Sequence, residues 1–321
     1  MIAAPTAGLF LSRRWAIAAL LASLFLPLTA GAGPLRDWLA SRETSESLID
    51  PADDDTRPPF TLPSGVRLLH DQAYGPHARQ RMDVYFTQQS TTAPAAPVIL
   101  MVHGGAWRFG DKAMRRVVEN KVTHWLPKGF IFVSVNYRLL PDTPPLEQAR
   151  DVALALATVQ ARTGRWGGDP SRVILMGHSA GAHLVALLNA NPALALAQGA
   201  RPWRGTVALD SAAMNLRQLM EGHHPRLYDR AFGQSAADWT AASPTLQQTT
   251  EAPPLLAVCS SQRKDACPQA EGLRQRAATL GTRVEVLPQD LSHSEINRRL
   301  GLPGDYTAAV DSFLSSVLAA P

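Results

Sequence analysis

Gly177-His178-Ser179-Ala180-Gly181 follows the apolar run Val173-Ile174-Leu175-Met176 and leads into an apolar helical pattern over 180–188. The order strand, tight turn, helix is what decides the fold. A serine on such a turn sits in a strained backbone conformation, and glycines two residues to either side let neighbouring chains pass without a Cβ clash. The turn lifts the Ser179 hydroxyl clear of the strand. The first turn of the next helix offers unpaired N–H groups and the positive end of its dipole beneath that hydroxyl. As a bare pattern G-x-S-x-G recurs by chance, and its bland reading is a βα turn without chemistry. The flanking strand and helix favour a nucleophile.

Working outward, short apolar runs bounded by turn residues predict strands at 98–102, 131–135, 207–209, 255–258 and 284–287. Helical patterns lie between them at 115–126, 146–161, 269–279 and 306–318. Strands alternating with helices call for a mostly parallel sheet covered on both faces, and the runs show little of the alternation expected of half-exposed strands. Two earlier runs, 66–69 and 82–86, flank Tyr74-Gly75-Pro76 and read as an antiparallel start to the same sheet. The expectation is therefore an α/β protein with one eight-stranded sheet, forming a single catalytic domain over residues 65–321. The stretch 214–248 is too long for a plain connection. With helical pieces at 216–220 and 228–232, it reads as a lid insertion.

His103-Gly104-Gly105-Ala106-Trp107 directly follows the strand at 98–102. Acyl transfer needs donors aimed at a developing oxyanion, and a Gly-Gly loop brings backbone N–H groups close to that point. The expected hole is the N–H of Gly104 and Gly105 with that of Ala180.

These motifs, with Asn136-Tyr137-Arg138-Leu139 and Gly167-Gly168-Asp169-Pro170, resemble the α/β-hydrolase fold. The resemblance lies in the esterase/lipase branch related to hormone-sensitive lipase, feruloyl-esterase-like and kynurenine-formamidase-like enzymes. Many branch members carry a third glycine where this chain has Ala106. The His-Gly-Gly-x-Trp form therefore points to the esterase and formamidase groups and weakens the case for a third loop donor. The resemblance implies a serine hydrolase of carboxylic esters working through an acyl-enzyme on Ser179, with a small-molecule ester as partner and no cofactor or metal. An amide hydrolase of the arylformamidase type uses the same triad and is the alternative. A non-catalytic binding protein on this fold is a more distant one.

In this fold the triad runs Ser, Asp or Glu, then His. His70, His77, His103 and His124 precede Ser179. His178 belongs to the elbow, and His183 lies one turn into the following helix, where packing is its expected role. His223 and His224 fall in the lid. His293 remains, just beyond the last strand, and is the expected base. For the acid, Asp265-Ala266-Cys267-Pro268 matches the family's pattern, so Asp265 is expected to orient His293. Asp210, at the end of the strand at 207–209, is its main rival, and Asp290 lies on the wrong loop. His103, Trp107, Tyr137 and His178 are candidate substrate contacts, with packing beneath the site the alternative for Trp107 and Tyr137. Arg138 and Asp151 read as a structural pair.

The N-terminus has the layout of a secretory signal. Arg13-Arg14 precede an apolar run over 15–29, and small residues Ala30-Gly31-Ala32 follow. The run is short for a membrane span, which needs about 20 apolar residues, and Pro27 interrupts it. The reading is a signal peptide over 1–32, cleaved after Ala32 (Ala30 being second choice), and an extended arm over 33–64. No stable membrane span is expected after cleavage. Export to the periplasm or beyond permits a disulfide between Cys259 and Cys267, the only two cysteines, which bracket Asp265. Two buried free thiols are the other possibility.

Composition bounds the rest. Of 321 residues 45% are hydrophobic and 18% charged, which excludes disorder as the state of the whole chain. Lys and Arg number 31 against 27 Asp and Glu, and loss of residues 1–32 removes two arginines and no acid, so the formal charge falls from +4 to +2. Without a basic run, that balance does not suggest a nucleic-acid partner.

Overall fold

The computed structural model describes residues 60–87 and 94–319. The contacts divide the chain into Met1–Ala40 and Ser41–Pro321, and every described residue belongs to the second unit. The signal at 1–32, its cleavage site and most of the arm (33–59) lie outside the described residues.

Eight strands form one sheet: β1 (Val66–Ala73), β2 (Arg81–Thr87), β3 (Ala96–Val102), β4 (Ile131–Val135), β5 (Gly168–His178), β6 (Gly205–Leu209), β7 (Leu255–Ser260) and β8 (Val284–Gln289). Their order is β1-β2-β4-β3-β5-β6-β7-β8. β1 pairs with β2, and β2 with β4, antiparallel; every later pairing is parallel. All eight expected strands are present, and β5 begins five residues before its apolar run.

The helices are α1 (Arg115–Trp125), α2 (Pro145–Arg162), α3 (Ala180–Ala190), α4 (Ala193–Leu196), α5 (Leu216–Glu221), α6 (Arg226–Phe232), α7 (Ala236–Ala241), α8 (Pro244–Gln247), α9 (Ala266–Ala278), α10 (His293–Arg299) and α11 (Asp305–Ala319). The continuous apolar runs are explained by how β3 is buried. Val98, Leu100 and Val102 pack with Val152 and Leu156 of α2 and Leu184 and Leu188 of α3. Ile99 and Met101 point to the other face and pack with Val118 and Val122 of α1 and Phe313 and Leu314 of α11. Successive side chains of a strand alternate faces, so burial on both faces demands an unbroken apolar sequence. Each such side chain contributes roughly 1.5–3 kcal/mol by leaving water. Truncating Leu100, which is fully buried, to alanine should cost about 2–5 kcal/mol.

The edge strand β1 is half exposed, and its register with β2 shifts between Leu69 and Gln72, where Asp71 has φ 52°. An irregular, polar edge discourages pairing with another chain. Arg138 and Asp151 form the expected ion pair at 2.7 Å. The insertion after β6 folds as the four short helices α5 to α8, two more than the pattern indicated. It is packed down rather than open: Phe232 of α6 lies edge-on to Trp107 at 4.8 Å and to His183 at 5.3 Å.

Candidate active site

Ser179 stands between β5 and α3 with φ 56° and ψ −116°. A non-glycine residue held there stores of order 1–3 kcal/mol of strain. The Ser179 N–H donates to the Leu209 carbonyl at 2.9 Å, tying the turn to β6. The flanking glycines meet the expected crowding. A Cβ on Gly177 would collide with the backbone of Gly181, and one on Gly181 with the carbonyls of Val102 and His103.

Ser179 Oγ lies 2.9 Å from His293 Nε2, and His293 Nδ1 lies 2.6 Å from Asp210 Oδ2. The expected nucleophile and base are thus together. The carboxylate beside them is that of Asp210, not Asp265. Asp210 ends β6 with φ 56°, a turn that carries its carboxylate beneath the His293 ring. Its side chain has no exposed surface and accepts from the Ser260 N–H at 2.8 Å and from Arg263 Nη1 at 2.8 Å. Asp265 stands at the N-cap position of α9 without a side-chain cap hydrogen bond, exposed on the outer wall of the site. The Asp-Ala-Cys-Pro pattern therefore marks a helix start, and the loop turns Arg263 inward instead.

Burial works against a charged Asp210, but the His293 hydrogen bond, the Arg263 charge and the Ser260 N–H outweigh it and hold the carboxyl well below its usual range. Burial lowers the proton affinity of His293, and the adjacent guanidinium lowers it further. The Asp210 hydrogen bond and charge act in the opposite direction, and the net shift is downward. Arg263 Nη1 is 3.1 Å from His293 Nδ1. Since Nδ1–H is donated to Asp210, that approach is charge against ring rather than a hydrogen bond.

Other groups fix the base. His178 Nε2 donates to the His293 carbonyl at 2.9 Å, and the two rings lie 4.6 Å apart. Ser292 caps α10 in a capping box with Glu295, fixing the start of the helix that opens with His293. From α1, Asn120 Nδ2 and Lys121 Nζ donate to the carbonyls of Arg298 and Asn297 near the end of α10.

Of the candidate substrate contacts, only Trp107 faces the space before Ser179. His103 is fully buried, donates to the Gly104 carbonyl at 2.7 Å and stacks on Tyr137 at 4.5 Å. Burial lowers its pKa to about 4, so the ring is neutral. Tyr137 is also buried and donates to the His103 carbonyl at 3.0 Å. Both brace the Gly-Gly loop from behind, and His178 braces His293, so none of the three lines the space before Ser179. His183 packs as expected: Trp107 Nε1 donates to its Nδ1 at 3.2 Å, and its Nε2 donates to the Ala242 carbonyl at 2.7 Å.

The Gly-Gly loop lies directly against the nucleophile, since a Cβ on Gly104 would come within 2.9 Å of the Ser179 Cβ. Among the described residues, no backbone acceptor takes the N–H of Gly104, Gly105 or Ala180. In front of Ser179 is a niche of about 20 Å³ walled by Ala106, Trp107, Ala180, Leu227 and Tyr228. Beyond Tyr228 and Arg263 a cleft of about 820 Å³ opens, and His293 borders both spaces. Cys259 and Cys267 form a disulfide with Cα atoms 5.1 Å apart, closing the loop that holds Ser260 and Arg263. The sequence reading passed over both of those residues. The one available signal was their position between the two cysteines, beside the residue taken for the acid.

A family model described as BD-FAE matches residues 82–198. Esterase LipQ of Mycobacterium tuberculosis is 31% identical over 221 residues, covering 65% of this chain and 52% of that protein. A probable isoprenylcysteine alpha-carbonyl methylesterase of Oryza sativa subsp. japonica is 29% identical over 172 residues, covering 52% and 40%. The chain thus spans about half the length or less of these curated relatives. Among solved structures, esterase B of Lactobacillus Rhamnosis aligns with a TM-score of 0.66 at 19% identity, over 88% of this chain and 91% of that one. Sheet order, elbow and this structural neighbour agree on the α/β-hydrolase fold, and the curated relatives to which the chain is similar are esterases.

Proposed function

We propose that the protein is an exported serine hydrolase that cleaves carboxylic esters through the triad Ser179, His293 and Asp210. The observation that carries this reading is the unbroken chain from Ser179 Oγ through both nitrogens of His293 to Asp210. The esterase relatives support the same chemistry.

His293 Nε2 takes the proton of Ser179 as Oγ attacks the acyl carbonyl. The N–H groups of Ala180, Gly104 and Gly105 are the donors for the oxyanion that forms. As the tetrahedral intermediate collapses, His293 returns the proton to the leaving alkoxide. The acyl group stays on Ser179 until water, deprotonated by the same nitrogen, releases it as a carboxylic acid. Asp210 holds His293 with Nδ1 protonated and offsets the imidazolium charge. The niche suits a short acyl group, since one water-sized sphere already fills roughly 10–15 Å³. Export rests on the N-terminal pattern, and the disulfide is compatible with an oxidising compartment.

Labelling with a fluorophosphonate tests the nucleophile. Wild type should label and Ser179→Ala should not; unlabelled wild type, or labelled alanine variant, ends the reading. A series of p-nitrophenyl esters should peak at acetate and fall with chain length. An N-formyl arylamine included in the series separates esterase from amidase. For export, the mature protein recovered outside the cytoplasm should begin at Gly33; cytoplasmic protein retaining residues 1–32 would contradict it.

A further inference from the structure

The cleft beyond the triad has a charge bias that ester hydrolysis as such does not require. Arg263 lies where the niche at Ser179 meets the wide cleft, and it borders both. Its Nη1 is taken up by Asp210. Among the described residues, Nε and Nη2 donate to no carboxylate or backbone carbonyl, and the guanidinium also hydrogen-bonds the Tyr228 hydroxyl. Lys264, next along the same wall, is exposed and has no ion pair among the described residues. Among the described residues Asp265 is the one carboxylate lining the cleft, where Arg263 and Lys264 face it, with Asp210 behind the wall as the counter-charge of Arg263. The other polar groups on the wall include His223, His224, Gln262 and Gln269.

Position adds to charge. A short acyl group in the niche directs the alcohol part of the ester out past Tyr228 and Arg263 into the cleft. The first protein charge that alcohol meets is a guanidinium with donors to spare. Such a fork suits a planar or tetrahedral oxyanion, and a charge-assisted hydrogen bond is about twice as strong as a neutral one. The same guanidinium sits against His293, whose imidazolium it disfavours. An anion bound to Arg263 reduces that opposition during the step in which His293 is protonated.

We propose that Arg263 and Lys264 form an oxyanion subsite on the leaving-group side, so that the preferred substrates are short-chain esters whose alcohol part carries a carboxylate, sulfonate or phosphate. This rests on the esterase reading above. Arg263 then acts both as a positioning residue for Asp210 and as a specificity-determining one.

The test compares 4-acetoxybenzoate and 4-acetoxybenzenesulfonate with neutral 4-acetoxybenzamide and with the cationic 4-acetoxyphenyl-trimethylammonium ester. Each kcat/KM is divided by the rate of the same ester with hydroxide, which removes leaving-group reactivity. The expected order is anionic, neutral, cationic, with about a tenfold step from neutral to anionic, as one charge-assisted contact provides. The step should shrink as salt is raised, because the cleft is open to solvent. The two anionic esters distinguish carboxylate from tetrahedral oxyanion recognition. In Lys264→Gln the anionic-to-neutral ratio should fall about threefold, and in Arg263→Gln it should approach one. The ratio is taken within each variant, so a general loss of activity or of folded protein does not move it. A wild-type ratio near one, or a ratio unmoved in both variants, overturns the proposal. Inactivity toward every ester together with no fluorophosphonate labelling would instead overturn the esterase reading and remove this proposal with it.

Discussion

The loops leaving β6 and β7 each carry an aspartate near His293 in the chain's topology, and they use it differently. Asp210 ends β6 in a strained left-handed conformation, buried, with Ser260 N–H, Arg263 and His293 all directed at its carboxylate. Asp265, in the loop after β7, stands at the start of α9 with its side chain exposed at the cleft. A carboxylate orients a histidine only from a fixed position out of water. The first loop supplies that, and the second supplies the cation and the N–H that hold it. The acid of one loop therefore depends on the donors of the other.

The largest effect that would break this assignment is Asp210→Asn. It should lower kcat by about three to four orders of magnitude, because an amide no longer selects the Nδ1–H tautomer of His293. It should also leave the Arg263 guanidinium without its counter-charge. Steady-state rates on an acetyl ester, with circular dichroism to verify folding, are sufficient. Activity within tenfold of wild type would remove Asp210 from the triad.

The pH dependence sharpens the comparison, because only Asp210 is coupled to a titrating base. The base must be neutral to act, and His293 has a proton affinity below the usual histidine value. The acid limb of kcat/KM should therefore have its midpoint below about 6.5. Stability follows the same sign. His103 and His183 are fully buried and pushed down to about 4. Between pH 6.5 and 4 the unfolded chain binds protons that the folded one does not, so stability is complete above pH 6.5 and declines as pH falls. Each ring accounts for roughly 3 kcal/mol by pH 4. Asp210, held low in the folded state, contributes above its unfolded value near 3.9 and loses that contribution only at lower pH still. Denaturant melts at pH 7, 5.5 and 4.5 check the order.

Much of this was legible because the physics is local. Runs buried on both faces mark β3 to β7, and the elbow glycines are required by backbone atoms within a few residues or on the adjacent strand. Base and nucleophile follow from chain order. The acid does not, because nothing local to Asp210 distinguishes it. Its role arises from a positive φ at a strand end and from Ser260 and Arg263, fifty residues later. The placement of His103 and Tyr137 was not legible for a related reason. His103 opens the Gly-Gly turn and Tyr137 follows β4, and only the folded packing shows that they lie behind the loop, on the side away from the niche before Ser179.

The disulfide tests the dependence of one loop on the other more gently. Cys259–Cys267 closes a short loop, so chain entropy limits its contribution to stability to about 2.5 kcal/mol. Its effect on activity should come through Ser260 and Arg263. Replacing both cysteines by serine should reduce kcat several-fold to tenfold while KM for a neutral acetyl ester changes little, since the loop bonds the acid and not the acyl group. Reductant should do the same to the wild-type protein. Equal kcat in both states would mean that β7 and α9 hold the loop without the bond.

The smallest effect belongs to the residue that the sequence pattern favoured. Asp265 makes no side-chain cap hydrogen bond at α9, so Asp265→Asn should shift the melting temperature little and leave kcat on phenyl acetate within about twofold. Its one expected consequence is electrostatic. Removing the one carboxylate among the described residues that line the cleft leaves Lys264 unopposed and Arg263 opposed only by Asp210, so the preference for anionic over neutral esters should rise slightly, by a factor of about two at low salt. A loss of kcat comparable to that of Asp210→Asn would instead require the loop after β7 to swing inward during turnover and exchange one acid for the other. Because the same two variants measured side by side distinguish those outcomes, the contrast between the loops does not depend on the absolute activity of either protein.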